Sequence, residues 1–151
     1  MVYSDKTLKL LNDIIENCKD GEKGFRESAE QAESPSLKAF FIERSQQCQA
    51  AASELQTIVV NQGGEPETDG TAAGALHRGW VAIKAALSSR DDKAVLEECE
   101  RGEDRALARY DSVLKEDLPA ELRLVLERQR AGAKRNHDHV RALRDEARAH
   151  S

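Results

Sequence analysis

The chain has little of what interrupts a helix. Its 151 residues include only 3 prolines and 9 glycines. With 39% hydrophobic and 34% charged residues, that scarcity excludes collagen-like and low-complexity chains. Cysteine is scarce too. Cys18, Cys48 and Cys99 are odd in number, widely spaced, and never form C-x-x-C. A disulfide-rich secreted fold, a zinc ribbon and a thioredoxin-like motif are excluded, and a reducing compartment is expected. No apolar run approaches the roughly 20 residues of a membrane helix. Met1-Val2-Tyr3-Ser4-Asp5 has neither the basic nor the apolar region of a signal peptide. The expected location is cytoplasmic, with no membrane partner. Excess positive charge is missing as well: the net charge of −5 argues against nucleic acid as a partner. No Gly-rich phosphate loop, Ser-His-Asp order or nucleophile motif occurs. No catalytic residue is therefore assigned, and a non-enzymatic role is expected.

What remains is helix. The length suits one domain over residues 1–151, large enough to bury a core without disulfides or metals. No window alternates like a strand, so the expected class is all-α. The prolines punctuate: Ser34-Pro35 reads as an N-cap with proline at the first helical position. Gly63-Gly64 reads as a stop with Pro66 beyond it, and Leu118-Pro119 as a tight connection. Four long helices are expected, over Asp5–Ala32, Ser36–Gln62, Asp92–Lys115 and Pro119–Ala147. Each is roughly 35–40 Å long at about 1.5 Å per residue. The first and second are joined by a short turn, as are the third and fourth. A long segment, residues 63–91, links the second to the third. It is partly helical, with Leu76, Trp80, Ile83 and Leu87 on one face. Two hairpins joined by one long crossover make an up-down-down-up four-helix bundle of the ferritin-like kind.

Each helix carries a three-and-four spaced seam. They are Leu8, Leu11, Ile15, Cys18, Glu22, Phe25, Ala29, Ala32; then Leu37, Phe41, Arg44, Cys48, Ala51, Leu55, Ile58. The later pair are Leu96, Cys99, Glu103, Ala106, Tyr110, Val113; then Leu122, Leu126, Gln129, Ala133, Asn136, Val140, Leu143. The seams are apolar at both ends and polar in the middle. Hairpin register sets Glu22 near Arg44 and Cys48, and Glu103 between Gln129 and Asn136. A central polar layer of Glu22, Arg44, Glu103, Gln129 and Asn136 is expected, with Arg44 attracting both carboxylates; the plainer alternative has Glu22 or Arg44 lean to a bundle edge and meet water. A di-iron site would need a Glu from each of two helices and a Glu-x-x-His from each of the others. Glu-x-x-His occurs nowhere. No metal or other cofactor is therefore expected; the alternative is iron or another divalent metal held by Glu22, Glu103 and His139. The cysteines read as small buried hydrophobes, Tyr110 as a phenol hydrogen-bonded in the core, and Trp80 as a seal over one end of the bundle.

Leu55-Gln56 before Gly63-Gly64-Glu65-Pro66, then Leu76-His77-Arg78-Gly79-Trp80, then Cys99-Glu100-Arg101-Gly102-Glu103 followed by Tyr110 carry a resemblance. Over almost its whole length the chain resembles the ferritin-like domain-of-unknown-function family of bacterial four-helix-bundle proteins, relatives in fold of bacterioferritin and rubrerythrin. The resemblance implies the fold and little about function. In bacterioferritin-like proteins a histidine ligand precedes the proline after the second helix by about fifteen residues. Counting back from Pro66 meets Ala51, with Cys48 where the glutamate belongs, so the comparison implies a missing ligand pair. The expected role is a non-catalytic structural, interaction or stress-related protein. One alternative is a degenerate metal-binding or redox protein. Another is a partner-binding adaptor through the basic fourth long helix, which bears Arg123, Arg128, Arg130, Lys134, Arg135, Arg141, Arg144 and Arg148. The plainer reading pairs these cations with Glu97, Glu98, Glu100 and Asp104. The partners considered are a second copy, giving a homodimer, and another protein.

Overall fold

The computed structural model describes residues 3–68 and 74–149. Five α-helices follow one another: α1 (Asp5–Gln31), α2 (Pro35–Asn61), α3 (Gly74–Ser88), α4 (Asp92–Leu114) and α5 (Ala120–Ala149). No strand occurs among the described residues. The four long helices match the expected spans to within two residues at either end. No helix among the described residues is long and apolar enough to cross a membrane.

Local chemistry sets the boundaries. Ser4 and Ser34 cap α1 and α2 by accepting from the backbone N–H of Thr7 and Leu37, and Asp91 caps α4 through Ala94. Pro35 opens α2, where its missing N–H costs nothing. At the end of α2, Gly63 takes φ +79°. The Gly64 N–H then reaches the Val59 carbonyl and the Gly63 N–H reaches Val60, which closes a Schellman stop. Arg123 of α5 donates to the carbonyls of Leu114 and Glu116, at 2.7 and 2.8 Å, and so satisfies the loose end of α4.

Two apolar clusters hold the helices. The first joins Leu11, Ile14 and Ile15 of α1 to Leu55 and Val59 of α2, Val113 of α4, and Leu122 and Leu126 of α5. The second joins Phe25 and Ala29 of α1 to Phe40 and Phe41 of α2, Ile83 and Leu87 of α3, Val95 and Cys99 of α4, and Val140 of α5. The chain therefore runs from first cluster to second along α1 and α5, and back along α2 and α4. The long segment before α4 returns it to the second cluster. Within that segment α3 packs on α1 and α4. The side chains of Leu76 and His77 lie outside the described residues. Trp80 packs edge-on to Phe25 at 4.9 Å, over Gly24 on the flank of α1. An added Cβ at Gly24 would stand 2.2 Å from the indole, so the glycine is what lets α3 dock.

Candidate functional site

Between the two clusters the interior turns polar. Arg44 enters from α2 and Glu103 from α4, 8% and 2% exposed. The guanidinium grips the carboxylate with both forks: Nε to Oε1 at 2.8 Å and Nη2 to Oε2 at 3.1 Å. Nη1 donates to Gln47 Oε1 at 3.0 Å, and the Asn136 amide donates to the same oxygen at 2.7 Å. Three helices are thus tied through one arginine. The Phe25 ring lies 5.0 Å from its Cζ, a cation–π contact. Burial disfavours the Arg44 cation, but the Glu103 charge, aided by its hydrogen bond, outweighs that and raises the Arg44 pKa. Such a fork is strong in attraction, and much of the gain offsets the loss of water.

About two turns toward the first cluster, Tyr110 donates to Gln129 Oε1 at 2.9 Å, and the Gln129 amide donates to Glu54 Oε1 at 2.7 Å. The three thiols gather around this interior. Burial, then the neighbouring Cys48, pushes the Cys18 thiol up to about 12. Burial likewise raises Cys48 and Cys99, and it holds the Tyr110 phenol well above its ordinary value. All three cysteines are free thiols. Protonated, with Cys48 and Cys99 buried and Cys18 partly so, they are poor nucleophiles.

The expected layer is only partly assembled. Arg44, Glu103 and Asn136 join one network; Gln129 joins the adjoining one with Tyr110. Glu22 stands outside both, as a correction to the expected layer. Its carboxylate meets Lys19 at 3.4 Å and Arg26 at 3.9 Å on its own helix. The reason is packing: Gly21, not Glu22, faces α2, and an added Cβ there would meet Cys48 Sγ at 2.8 Å. The alternative metal set, Glu22, Glu103 and His139, does not converge. Glu103 is held by Arg44, and the exposed His139 ring packs edge-on to Phe40 at 5.4 Å. The residues present at the centre do not fit a di-iron cofactor: its one buried carboxylate already faces a fixed cation.

Sequence reasoning missed Gln47 and His137. Gln47 was legible as the i+3 partner of Arg44. His137 is buried between carboxylates, with Nε2 2.6 Å from Asp104 and Nδ1 3.3 Å from Asp138. Glu100, Asp104 and His137 each offer a ligand atom within 4.8 Å of one another. Arg144 already pairs with Glu100 there, so the group reads as an ion-pair ladder along the α4–α5 seam. Most cations of α5 are engaged in the same way: Arg128 with Glu54, Arg130 with Asp111, Lys134 with Asp138, and Arg148 with Glu97.

Two cavities meet the central pair. A cleft of about 710 Å³ opens between α2 and α5, with Cys18, Arg44, Gln47, Tyr110, Gln129 and Asn136 among its walls. A smaller one of about 140 Å³ lies on the α3 side, against Phe25, Trp80, Cys99 and Glu103. Arg44 and Cys48 border both.

The family described as Domain of unknown function (DUF2383) has a model that matches residues 6–116. That span runs from α1 through the end of α4 and includes both members of the buried pair. No curated protein matches the chain.

Proposed function

The chain belongs to the DUF2383 family, and from that premise we propose a ferritin-like, up-down-down-up four-helix bundle that acts by non-catalytic interaction. The domain takes in residues 1–151 and serves a structural or stress-related role. Helix direction supports the architecture: α1 and α5 run one way, α2 and α4 the other, with the long return before α4. One observation carries the function: both oxygens of Glu103 are taken by Arg44. A cation fixed about 3 Å from the one buried carboxylate among the described residues repels a divalent metal and occupies the oxygens that would bind it. The Arg44–Glu103 pair is therefore structural, and the working surface lies outside that pair. The engaged cations of α5 weaken its reading as a general acidic-partner adaptor.

The test is anaerobic Fe²⁺ titration of protein purified without chelator, with urea unfolding of variants in parallel. No stoichiometric iron is expected at the centre. Arg44→Met and Glu103→Gln should each lose about 3–5 kcal/mol, because each strands a buried partner. The double variant Arg44→Met/Glu103→Leu should recover most of that loss. Stoichiometric iron that vanishes in Glu103→Gln would overturn the reading. Metal that vanishes instead in His137→Ala would belong to the α4–α5 seam and leave the centre structural.

A further inference from the structure

We infer that the cleft between α2 and α5 binds an anionic amphipathic small molecule, a carboxylate on an apolar body. The inference deepens the interaction reading and rests on it for the ligand's role. The ligand's chemistry comes from the cleft alone. At about 710 Å³ the space falls within the range of small-molecule sites, about 300–1,000 Å³. Ile14, Ala51, Ala106 and Ala133 give it apolar walls, and the hydrogen-bonding groups of Tyr110 and Gln129 stand beside them.

Charge selects the sign of the ligand. Four arginines border the cleft: Arg44, Arg109, Arg128 and Arg135. Glu103 neutralises Arg44 and Glu54 neutralises Arg128. Arg109 of α4 and Arg135 of α5 are exposed and have no ion-pair partner among the described residues. Against them stands one unmatched acid, Glu43, which accepts from Gln47. The balance at the mouth is positive, and guanidinium forks suit a carboxylate.

Gly132 keeps the wall low. It sits in the interior of α5 and lines the cleft, and an added Cβ would meet only Arg135 Nη2, at 3.6 Å. An interior helix glycine is unfavourable by about 1 kcal/mol against alanine. No close approach by a neighbouring helix explains it, as the approach of Trp80 explains Gly24. An open cleft does.

The probe is laurate, kept below its micellar concentration and titrated calorimetrically into the full chain, with dodecyltrimethylammonium as the matched cation. Laurate should bind one to one and the cation should not. Arg109→Glu/Arg135→Glu should weaken laurate at least about tenfold. Gly132→Phe should plug the cleft and abolish binding. Both variants should keep the helical circular dichroism of the parent, since Arg109 and Arg135 are exposed and an added Cβ at Gly132 meets only the Arg135 side chain. Equal binding of the cation, or unchanged laurate affinity in Gly132→Phe, would overturn the inference. So would binding that begins only when laurate forms micelles, or no binding by the folded chain. These failures leave the iron result untouched, so the two proposals fail separately.

Discussion

Arg44 and Glu103 place opposite charges where a bundle ordinarily packs leucine. Replacing such pairs by apolar residues is often neutral or stabilising, whereas breaking one partner is not. An alignment of α2 against α4 that separated fork from carboxylate would strand both buried charges. The thiols nearby respond to pH. The Cys18 pKa rises from 9.0 to about 12 on folding, chiefly through burial. The folded chain therefore keeps a proton that the unfolded chain releases above about pH 9. That contribution is complete below the unfolded value and is lost as pH rises through the folded one. Cys48, Cys99 and Tyr110 shift in the same direction and steepen the fall. The urea midpoint should be level near pH 8 and drop from about pH 9 to 11. Cys18→Ala should give a shallower drop than the parent over the same range. Parallel alkaline limbs for the two proteins would show that Cys18 does not titrate as described.

At the scale of the element, glycines decide which face of α1 goes inward. Gly21 and Gly24 are both buried in α1, the first under Cys48 and the second under Trp80. Gly24→Ala should drive the indole away and lose about 1–3 kcal/mol by overpacking, with a red shift of emission from the chain's one tryptophan. Gly102 is the counterpart in α4: nothing lies within 4 Å of an added Cβ. Gly102→Ala should gain about 0.5–1 kcal/mol and leave the emission unchanged. A loss in both, measured by urea unfolding, would mean that the α4 flank is tighter than described. The same glycines explain what was legible beforehand. Hydropathy spacing picked out Arg44, Glu103 and Tyr110 because each sits between apolar neighbours on its own seam, and Cys48 because it continues the α2 seam toward Ala51 and Leu55. It misplaced Glu22 because glycine has no side chain for a hydropathy pattern to read. The close approach of Cys48 rotates the buried stripe onto Gly21, and Lys19 and Arg26 claim the carboxylate locally. The α2 seam slipped for a related reason. A strict three-and-four spacing ends on Ala51 and Ile58, while the helix's 3.6-residue turn carries Ala52 and Val59 into the core. Ala51 is thereby left to the cleft. The cleft itself is the space between α2 and α5, and no spacing within either helix encodes it.

For the molecule as a whole, the apolar clusters divide the work unequally. All four long helices contribute to both clusters, so none can leave without opening two interfaces. Among the described residues α3 contributes to the second alone, and it packs on α1 and α4. Its further ties are peripheral. Gln31 donates to Ser88 Oγ at 2.7 Å and to the Lys84 carbonyl at 3.2 Å. Lys84 also pairs with the half-exposed Glu27, and its hydrogen bond lowers the Glu27 pKa. Exposed pairs of this kind add little, about 0–1 kcal/mol. Segments held by few buried apolar contacts open below the global unfolding free energy. α3 should therefore undock as a unit before the long helices separate. In a urea series Trp80 emission should move to the red while far-UV ellipticity still reports most of the helix. Amides of α3 should exchange faster than those of α1 and α2. Gly24→Ala should widen the interval between the two transitions, because it weakens the α1–α3 contact and leaves the first cluster untouched. Coincident transitions in parent and variant would instead make α3 part of one cooperative core. The return segment would then be a structural wall of the bundle, and the Trp80 contact with Phe25 would be as hard to open as the buried ion pair beside it.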